Sequence, residues 1–552
     1  MMTNRIIAQA PGDVDLESIK IVDNQDEITD TYALYLDDES HSFDGSADQI
    51  AFPSTEAQVV AIMKRAFDMG TPVTIQGGRT GLTGASVPLG GVALNLERLD
   101  GLLYIDYDEQ TGTYSIAAEA GLPLEDLVKM VGSRNLESLK DQGQAKDQDA
   151  LSRFLGESGD YTFPVDPTET SAWLGGIVAC NASGARTFRY GAVRPWVHRI
   201  RVVLSNGDIL DIRRGQVKAE NGFFVLTLSD GTEREVKVPT YQMPKTKNAA
   251  GLYAEPDMDL VDLFVGSEGI LGVITMVELG LIELEPNIMT VMAFFPSEAD
   301  AVNFVYDIRS ADSPVKMDFL EYFGPNAIKM IREKSSSAGI KVPAMSESTQ
   351  AIVFFEFSYS EEKMEEMIMG LEEVLNQHNT SSESSWAGLD RAELEKMKTV
   401  RHFVPETING LIAQRKAQYH EIHKIGTDMA VPDEALRDYI AFYRSVLEEQ
   451  AMEYVLFGHI GNNHLHVNMI PRNPQEVEQG MDNYMTFAKR AVELGGTVAA
   501  EHGIGKLKTP FLEVMYGEKG IVEIQNTKKA LDPKWMVNRG NMVPVPAEFA
   551  TA

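Results

Sequence analysis

Residues Pro164 to Gly191 read P-V-D-P-T-E-T-S-A-W-L-G-G-I-V-A-C-N-A-S-G-A-R-T-F-R-Y-G. Gly175, Gly176, Gly184 and Gly191 alternate here with the small residues Ala172, Ala179, Ala182 and Ser183. Glycine costs backbone entropy unless its missing side chain is used. This density therefore points to backbone lying flat against a large partner. The segment has no lysine, which separates it from the usual lysine-bearing triphosphate loop. A flat, electron-rich ring system against backbone amides is the better match; a tightly packed turn in a large enzyme core is the alternative.

Two further glycine loops flank it. The short apolar strand Val73 to Ile75 opens into Q-G-G-R-T-G-L-T-G-A-S at 76–86. Gly77, Gly78, Gly81 and Gly84 allow a folded loop whose amides converge on an anion. Arg79, Thr80, Thr83 and Ser86 add donors, so the loop suits a pyrophosphate. Its spacing is not that of the dinucleotide fingerprint. Downstream, V-G-S-E-G-I-L-G-V-I-T at 265–275 breaks an apolar run at Gly266, Gly269 and Gly272, with Ser267 and Glu268 as polar edges and Ile274 in the strand that resumes.

These three loops, in this order, resemble the flavin-binding loops of the vanillyl-alcohol oxidase, PCMH-type flavoprotein family, in its D-lactate and D-2-hydroxyglutarate dehydrogenase branch. The resemblance runs from about residue 50 to the end. It implies FAD contacts from Gly77, Gly78, Arg79, Thr80, Gly81, Thr83 and Gly84 in the first loop. In the second it implies Pro164, Asp166, Gly175, Gly176, Asn181, Ser183, Gly184, Tyr190 and Gly191, and in the third Glu268, Gly269 and Ile274. Some relatives attach the flavin through a histidine of the first loop. None lies in 76–86, and before His198 the chain has only His41, so a non-covalent FAD is expected.

Composition bounds the rest. The chain has 552 residues, 43% of them apolar, which is too long for one hydrophobic core. Its 82 acidic and 49 basic residues give a net charge of −33. That excludes the basic footprint of a nucleic-acid binder and disfavours electrostatic docking on anionic lipid. The single Cys180 excludes an internal disulfide and four-cysteine zinc or iron–sulfur sites. No stretch reads as a membrane-spanning helix. A cytoplasmic setting is expected, with peripheral membrane association and a homo-oligomer both left open.

The second half holds the chemistry. Arg401 begins R-H-F-V-P-E-T and Lys424 lies in H-K-I-G-T-D; an arginine grips a carboxylate with paired donors and a lysine adds a point charge. F-G-H-I-G-N-N-H-L-H-V at 457–467 and A-A-E-H-G at 499–503 gather four of the ten histidines and a glutamate. That set suits a divalent transition metal such as zinc or manganese, or else a hydrogen-bonded network without one. The family resemblance implies His459, His466 and Glu501 as metal ligands, His502 as general base, and Arg401 and Lys424 as holders of the substrate carboxylate. His464 stands where the family has an asparagine, so its role is left open. Pro405 replaces a threonine found in some 2-hydroxyglutarate enzymes, which favours a short substrate such as D-lactate.

The expected fold is α+β: an arm at 1–45, a two-part PCMH-type FAD domain at 46–285, an α/β cap at 286–500, and a segment at 501–552 returning to the FAD domain. Surface insertions are expected near 137–160 and 213–250, and a strand at 31–36. The expected reaction is oxidation of a D-2-hydroxy acid by hydride transfer to flavin N5. Electrons would leave to a separate quinone, electron-transferring flavoprotein or cytochrome. A D-2-hydroxyglutarate dehydrogenase, a glycolate or 2-hydroxyacid oxidase using dioxygen, and a metal-binding redox-partner docking subunit are the alternatives.

Overall fold

Thr55 starts the first long helix. Its side chain accepts the Gln58 backbone N–H at 3.3 Å, and Gly70, at φ +70°, ends it. Between these caps Glu56–Met69 buries Val59, Val60, Ile62, Met63 and Ala66, the spacing of one helix face. The valine, isoleucine and methionine side chains each contribute about 1.5–3 kcal/mol by leaving water. The face packs against Val73, Leu94, Val203 and Val537, so this small core already joins segments from both ends of the chain. The computed structural model of the chain describes residues 3–10, 18–136, 139, 145–335, 338–340, 342, 345–388 and 391–549.

Two larger sheets frame the first half. A four-stranded sheet runs in the order Lys20–Val22, Gln49–Phe52, Val92–Asn95, Val73–Gln76; the first pairing is antiparallel and the other two parallel. A five-stranded antiparallel sheet runs Ile209–Arg213, Val197–Val203, Val273–Gly280, Thr113–Glu119, Leu102–Asp108. Asn206-Gly207, with Gly207 at φ +88°, turns the chain between the first two of these strands. The second half contains a seven-stranded antiparallel sheet: Trp386–Gly388, Asn287–Phe295, Ala351–Tyr359, Met317–Phe323, Tyr454–His459, His464–Met469, Ile425–Gly426. Glu298–Ile308, Pro325–Lys334 and Arg391–Lys416 are among its helices. After Thr509–Leu531 the chain returns: Val73 N–H donates to Met536 O and Asn538 N–H to Val73 O, both at 2.8 Å, laying the tail beside the four-stranded sheet.

Three expectations need correction. Residues 31–36 do not form a strand; Ala33–Leu36 is a 3₁₀ turn. Tyr32 and Tyr35, three apart, both pack on the Phe52 ring at 5.7 and 5.2 Å, which a turn permits and side-chain alternation does not. Residues 145–156, expected in a surface insertion, form a helix that packs on Leu102–Asp108 with Phe154 fully buried; positions 137, 138 and 140–144 lie outside the described residues. The stretch near 213–250 is in part a small sheet, with Phe223–Thr227 and Glu233–Lys237 joined by Arg5–Ile7. Its end is pinned to the C-terminal part. Ala249 N–H donates to Ala499 O at 2.9 Å, and Thr497 Oγ1 donates to Asn248 Oδ1 at 2.6 Å.

Candidate active site

The three glycine loops meet around one cavity. It is lined by residues 77–81, by Gly175, Gly176 and Ser183, and by Glu268, Gly269 and Ile274. The two main loops touch there: a Cβ on Gly77 would lie 3.7 Å from Gly176 Cα. A Cβ on Gly176 or Gly81 would meet nothing within 4 Å, so both glycines leave room that the protein itself does not fill. Arg79 Nη1 and Ser183 Oγ are buried without a hydrogen-bond partner, and both residues line the cavity. Unpaired buried donors are costly, and a polyanionic, aromatic cofactor supplies what they lack. The donor set and the open cradle fit FAD.

The other expected flavin residues hold the loops rather than line the cavity. A Cβ on Gly184 would lie 1.9 Å from Asp166 O, so the proline–aspartate–proline turn packs directly on it. The Asp166 carboxylate accepts the Arg186 N–H at 3.0 Å. Asn181, at φ +46°, accepts the Arg194 N–H at 3.0 Å. Pro164 is buried in the turn, Tyr190 O accepts from the Trp196 indole, and Gly191 turns the chain at φ +74°. Gly84, at φ +72°, leaves room for the Phe43 ring, and Thr83 O accepts the N–H groups of Lys506 and Leu507.

Glu268 ties this cavity to the C-terminal segment. Its buried carboxylate accepts the Ile504 and Gly505 N–H groups at 2.7 and 2.6 Å, and its carbonyl accepts Asn538 Nδ2 at 2.8 Å. The neighbouring residues Glu501 and His502 thereby form part of the cavity wall.

Behind that wall is a buried charged cluster. Glu321 Oε1 accepts Arg401 Nη2 at 2.7 Å and pairs with His459 Nδ1 at 2.9 Å. With Nδ1 so engaged, His459 turns Nε2 toward Glu501 Oε1, 3.4 Å away. His466 is oriented in the same way: Nδ1 pairs with Thr427 O at 2.9 Å, and Nε2 lies 3.7 Å from Glu501 Oε1. A partner on one imidazole nitrogen leaves the other bare, as metal-binding histidines require. Ligand atoms about 2.0–2.2 Å from a tetrahedral ion lie roughly 3.3–3.6 Å apart, so this spacing fits a divalent cation. Burial alone lowers the His459 pKa, but Glu321 and Glu501 outweigh it and push it up to about 9; without an ion both its nitrogens carry a proton at neutral pH, and an ion would take the place of the proton on Nε2.

His464 lies on the other side of Glu501, with Nδ1 3.8 Å from Oε2 and Nε2 3.1 Å from Asp428 Oδ1. All four of His459, His464, His466 and Glu501 place ligand atoms within 4.8 Å of one another. His502 stacks on His466 at 5.6 Å between centroids, with Nε2 3.6 Å from Glu501 Oε1. Burial lowers its pKa to about 4, leaving a neutral imidazole at the boundary between cluster and flavin cavity. Asp428, fully buried, accepts Lys508 Nζ at 2.7 Å and the N–H groups of Glu501 and His502.

The structure therefore brings Arg401, His459, His466, Glu501 and His502 together. Lys424 stands apart: it is exposed and donates to Asn409 Oδ1 at 3.2 Å. Four members were missed in the sequence. Glu321 and Asp428 were detectable in principle, since each is a carboxylate inside an apolar run, M-D-F-L-E-Y-F and G-T-D-M-A-V. Lys247 and Lys508 gave no such signal. The lysines near 245–247 read as an exposed loop, which holds for Lys245; the Lys247 side chain is instead buried, with Nζ 2.5 Å from Glu501 Oε2.

The FAD binding domain family matches residues 47–138 and 147–213, and the C-terminal domain of FAD linked oxidases matches residues 284–542. The chain is 24% identical over 520 residues to the glycolate oxidase subunit GlcD of Bacillus subtilis, covering 92% of each chain. It is 26% identical over 500 residues to a D-lactate dehydrogenase of Archaeoglobus fulgidus, covering 89% of this chain and 90% of that one. A D-2-hydroxyglutarate dehydrogenase of Xanthomonas citri is 25% identical over 503 residues, covering 89% and 88%. In fold the chain resembles alkyldihydroxyacetonephosphate synthase, with a TM-score of 0.58 at 15% identity over 91% of this chain and 77% of that one. With both halves matched in order, and with the glycine cavity meeting a histidine–carboxylate cluster at Glu501 and His502, this chain belongs to the PCMH-type family of FAD-linked oxidases and dehydrogenases.

Proposed function

We propose that this protein oxidises a D-2-hydroxy acid, D-lactate in preference to D-2-hydroxyglutarate, to the 2-oxo acid. The observation that carries the reading is the shared wall: Glu501 and His502 line the flavin cavity, and Glu501 on its other side meets the Arg401–Glu321–His459 chain. A hydroxy acid needs both faces at once, a hydride acceptor at C2 and a charged grip on its carboxylate.

FAD, held without a covalent link, supplies the hydride acceptor. A divalent ion on His459, His466 and Glu501, zinc or manganese, would supply the positive charge that favours the deprotonated hydroxyl. The remaining work belongs to the chain. Arg401 anchors the substrate carboxylate, its guanidinium held in place by Glu321. His502, neutral through burial, takes the hydroxyl proton. Lys424, paired only with Asn409 among the bonds described, contributes at the approach rather than at the reacting atoms. Pro405 has no hydroxyl to offer a second carboxylate, which supports the short substrate.

Electrons then pass to a separate acceptor such as a quinone, an electron-transferring flavoprotein or a cytochrome. No described helix is long and apolar enough to cross a membrane. The test is anaerobic mixing of the FAD-loaded protein with a panel of D- and L-2-hydroxy acids. Bleaching of the flavin by D-lactate, slower bleaching by D-2-hydroxyglutarate and none by the L-acids is expected; bleaching by L-acids alone would overturn the reading.

A further inference from the structure

We propose that Lys247 is a positioning residue that divides the two oxygens of Glu501 between the protein and the ion. This rests on the ion reading above and concerns a residue that reading does not use. The two carboxylate oxygens of Glu501 face different partners. Oε1 faces His459 Nε2, His466 Nε2 and His502 Nε2, at 3.4, 3.7 and 3.6 Å. Oε2 faces the Lys247 ammonium at 2.5 Å, with His464 Nδ1 farther off at 3.8 Å.

The ammonium is built into this place. Its side chain is 3% exposed. The next residues are fixed to the C-terminal part through Asn248 and Ala249. A flexible surface lysine loses rotamer entropy when held; here the backbone that follows it is already fixed by those bonds.

Two consequences follow from charge and geometry. A carboxylate whose second oxygen is occupied by an ammonium would offer an ion one oxygen only and so would leave a coordination position for substrate, as catalytic sites require. The same ammonium also repels the ion, so the site gives up affinity for that open position. Before any ion is added each of these carboxylates already faces a cation: Arg401 on Glu321, Lys247 on Glu501 and Lys508 on Asp428.

The experiment compares the FAD-loaded wild-type protein with Lys247→Met, Lys247→Gln and Lys247→Arg. Zinc and manganese affinities are measured by competition with a chromogenic chelator, and flavin reduction by D-lactate is followed on the same samples. Losing the ammonium should tighten ion binding at least about tenfold while kcat/KM falls at least about tenfold through KM. Lys247→Arg should restore both toward wild type. Simple damage would weaken ion binding and catalysis together, so the opposite signs are diagnostic; Lys247→Gln supplies the same neutral test if Lys247→Met does not fold. Wild-type protein that binds neither ion overturns the ion reading and this role with it. Wild-type protein that binds an ion no less tightly than the neutral variants overturns the role of Lys247 alone.

Discussion

The flavin cavity and the charged cluster meet at Glu501 and His502 but are made in opposite ways. The cavity is lined mainly by backbone and small residues from contiguous loops, and its specificity lies in what is missing: side chains at Gly81 and Gly176, and hydrogen-bond partners for Arg79 Nη1 and Ser183 Oγ. The cluster is made of long charged side chains from scattered segments, including residues 247, 321, 401, 428, 459, 466, 501 and 508. There nearly every charge is answered at short range. A cradle of absent side chains tolerates little that is added; a balanced cluster tolerates little that is removed. Each half should therefore fail on its own terms, and variants can test how independent the two halves are.

The largest effect should come at their boundary. His502→Asn is expected to slow flavin reduction by substrate ~10²–10⁴-fold, with FAD and divalent ion content unchanged; stopped-flow absorbance and elemental analysis on the same samples check it. Loss of flavin in this variant would mean that the boundary is structural for both halves.

Next is Asp428→Asn, which leaves the Lys508 ammonium buried without its counter-charge. Removing one partner of a buried pair costs about 3–5 kcal/mol, readable as a lower midpoint in urea. The pH dependence should change as well. Burial opposes the Asp428 charge, but His502, Lys508 and His464 outweigh it and hold the carboxylate well below its usual range. Its contribution is therefore complete above about pH 4 and fades as the pH falls through the native value. The asparagine variant should lose that acid-side slope.

Gly176→Val tests the cavity alone. An added Cβ meets nothing within 4 Å, so the fold should stand while FAD affinity falls at least about a hundredfold, with ion binding retained. Gly184→Val is the contrasting control, because its side chain would collide with the Asp166 carbonyl; it should reduce soluble yield rather than flavin occupancy alone.

Arg401→Met should lower kcat/KM for D-lactate at least about tenfold, the worth of a charge-assisted hydrogen bond. It should also destabilise the protein by leaving Glu321 less well paired. The smallest effect should be that of Lys424→Met, below about tenfold and without a change in stability, since the residue is exposed and outside the cluster. A larger loss than in Arg401→Met would return Lys424 to the substrate carboxylate.

How much of this was legible differs between the two regions for the same reason. Gly77, Gly78, Gly175, Gly176 and Gly269 announce a cradle because glycine is expensive without a use and because the loops that carry it are continuous in sequence. Even so, the roles of Gly184, Asn181 and Asp166 could not be told from those of lining residues, since a glycine that admits a neighbouring loop looks the same as one that admits a cofactor. His459, His466, Glu501 and His502 were recognisable because they are crowded into two short motifs. Lys247 was not, because lysine is common at surfaces and nothing nearby in sequence marks this one as buried.

By itself, then, the sequence determined the α+β architecture, the three flavin loops, the histidine–glutamate pair of motifs and the absence of a histidine in the first loop. The glycine loops and histidine motifs are properties of local spacing and residue type, which survive in one dimension; their reading as flavin loops of an α+β fold came from the family resemblance those motifs carry. Only the tertiary structure decided which charge meets which. It placed Glu321 between Arg401 and His459, set Asp428 behind His502, turned one oxygen of Glu501 to Lys247 and the other to the histidines, and left Lys424 outside. Electrostatic partners act over a few ångströms of space whatever their separation along the chain, so their pairing exists only once the sheets and the returning tail have been packed together.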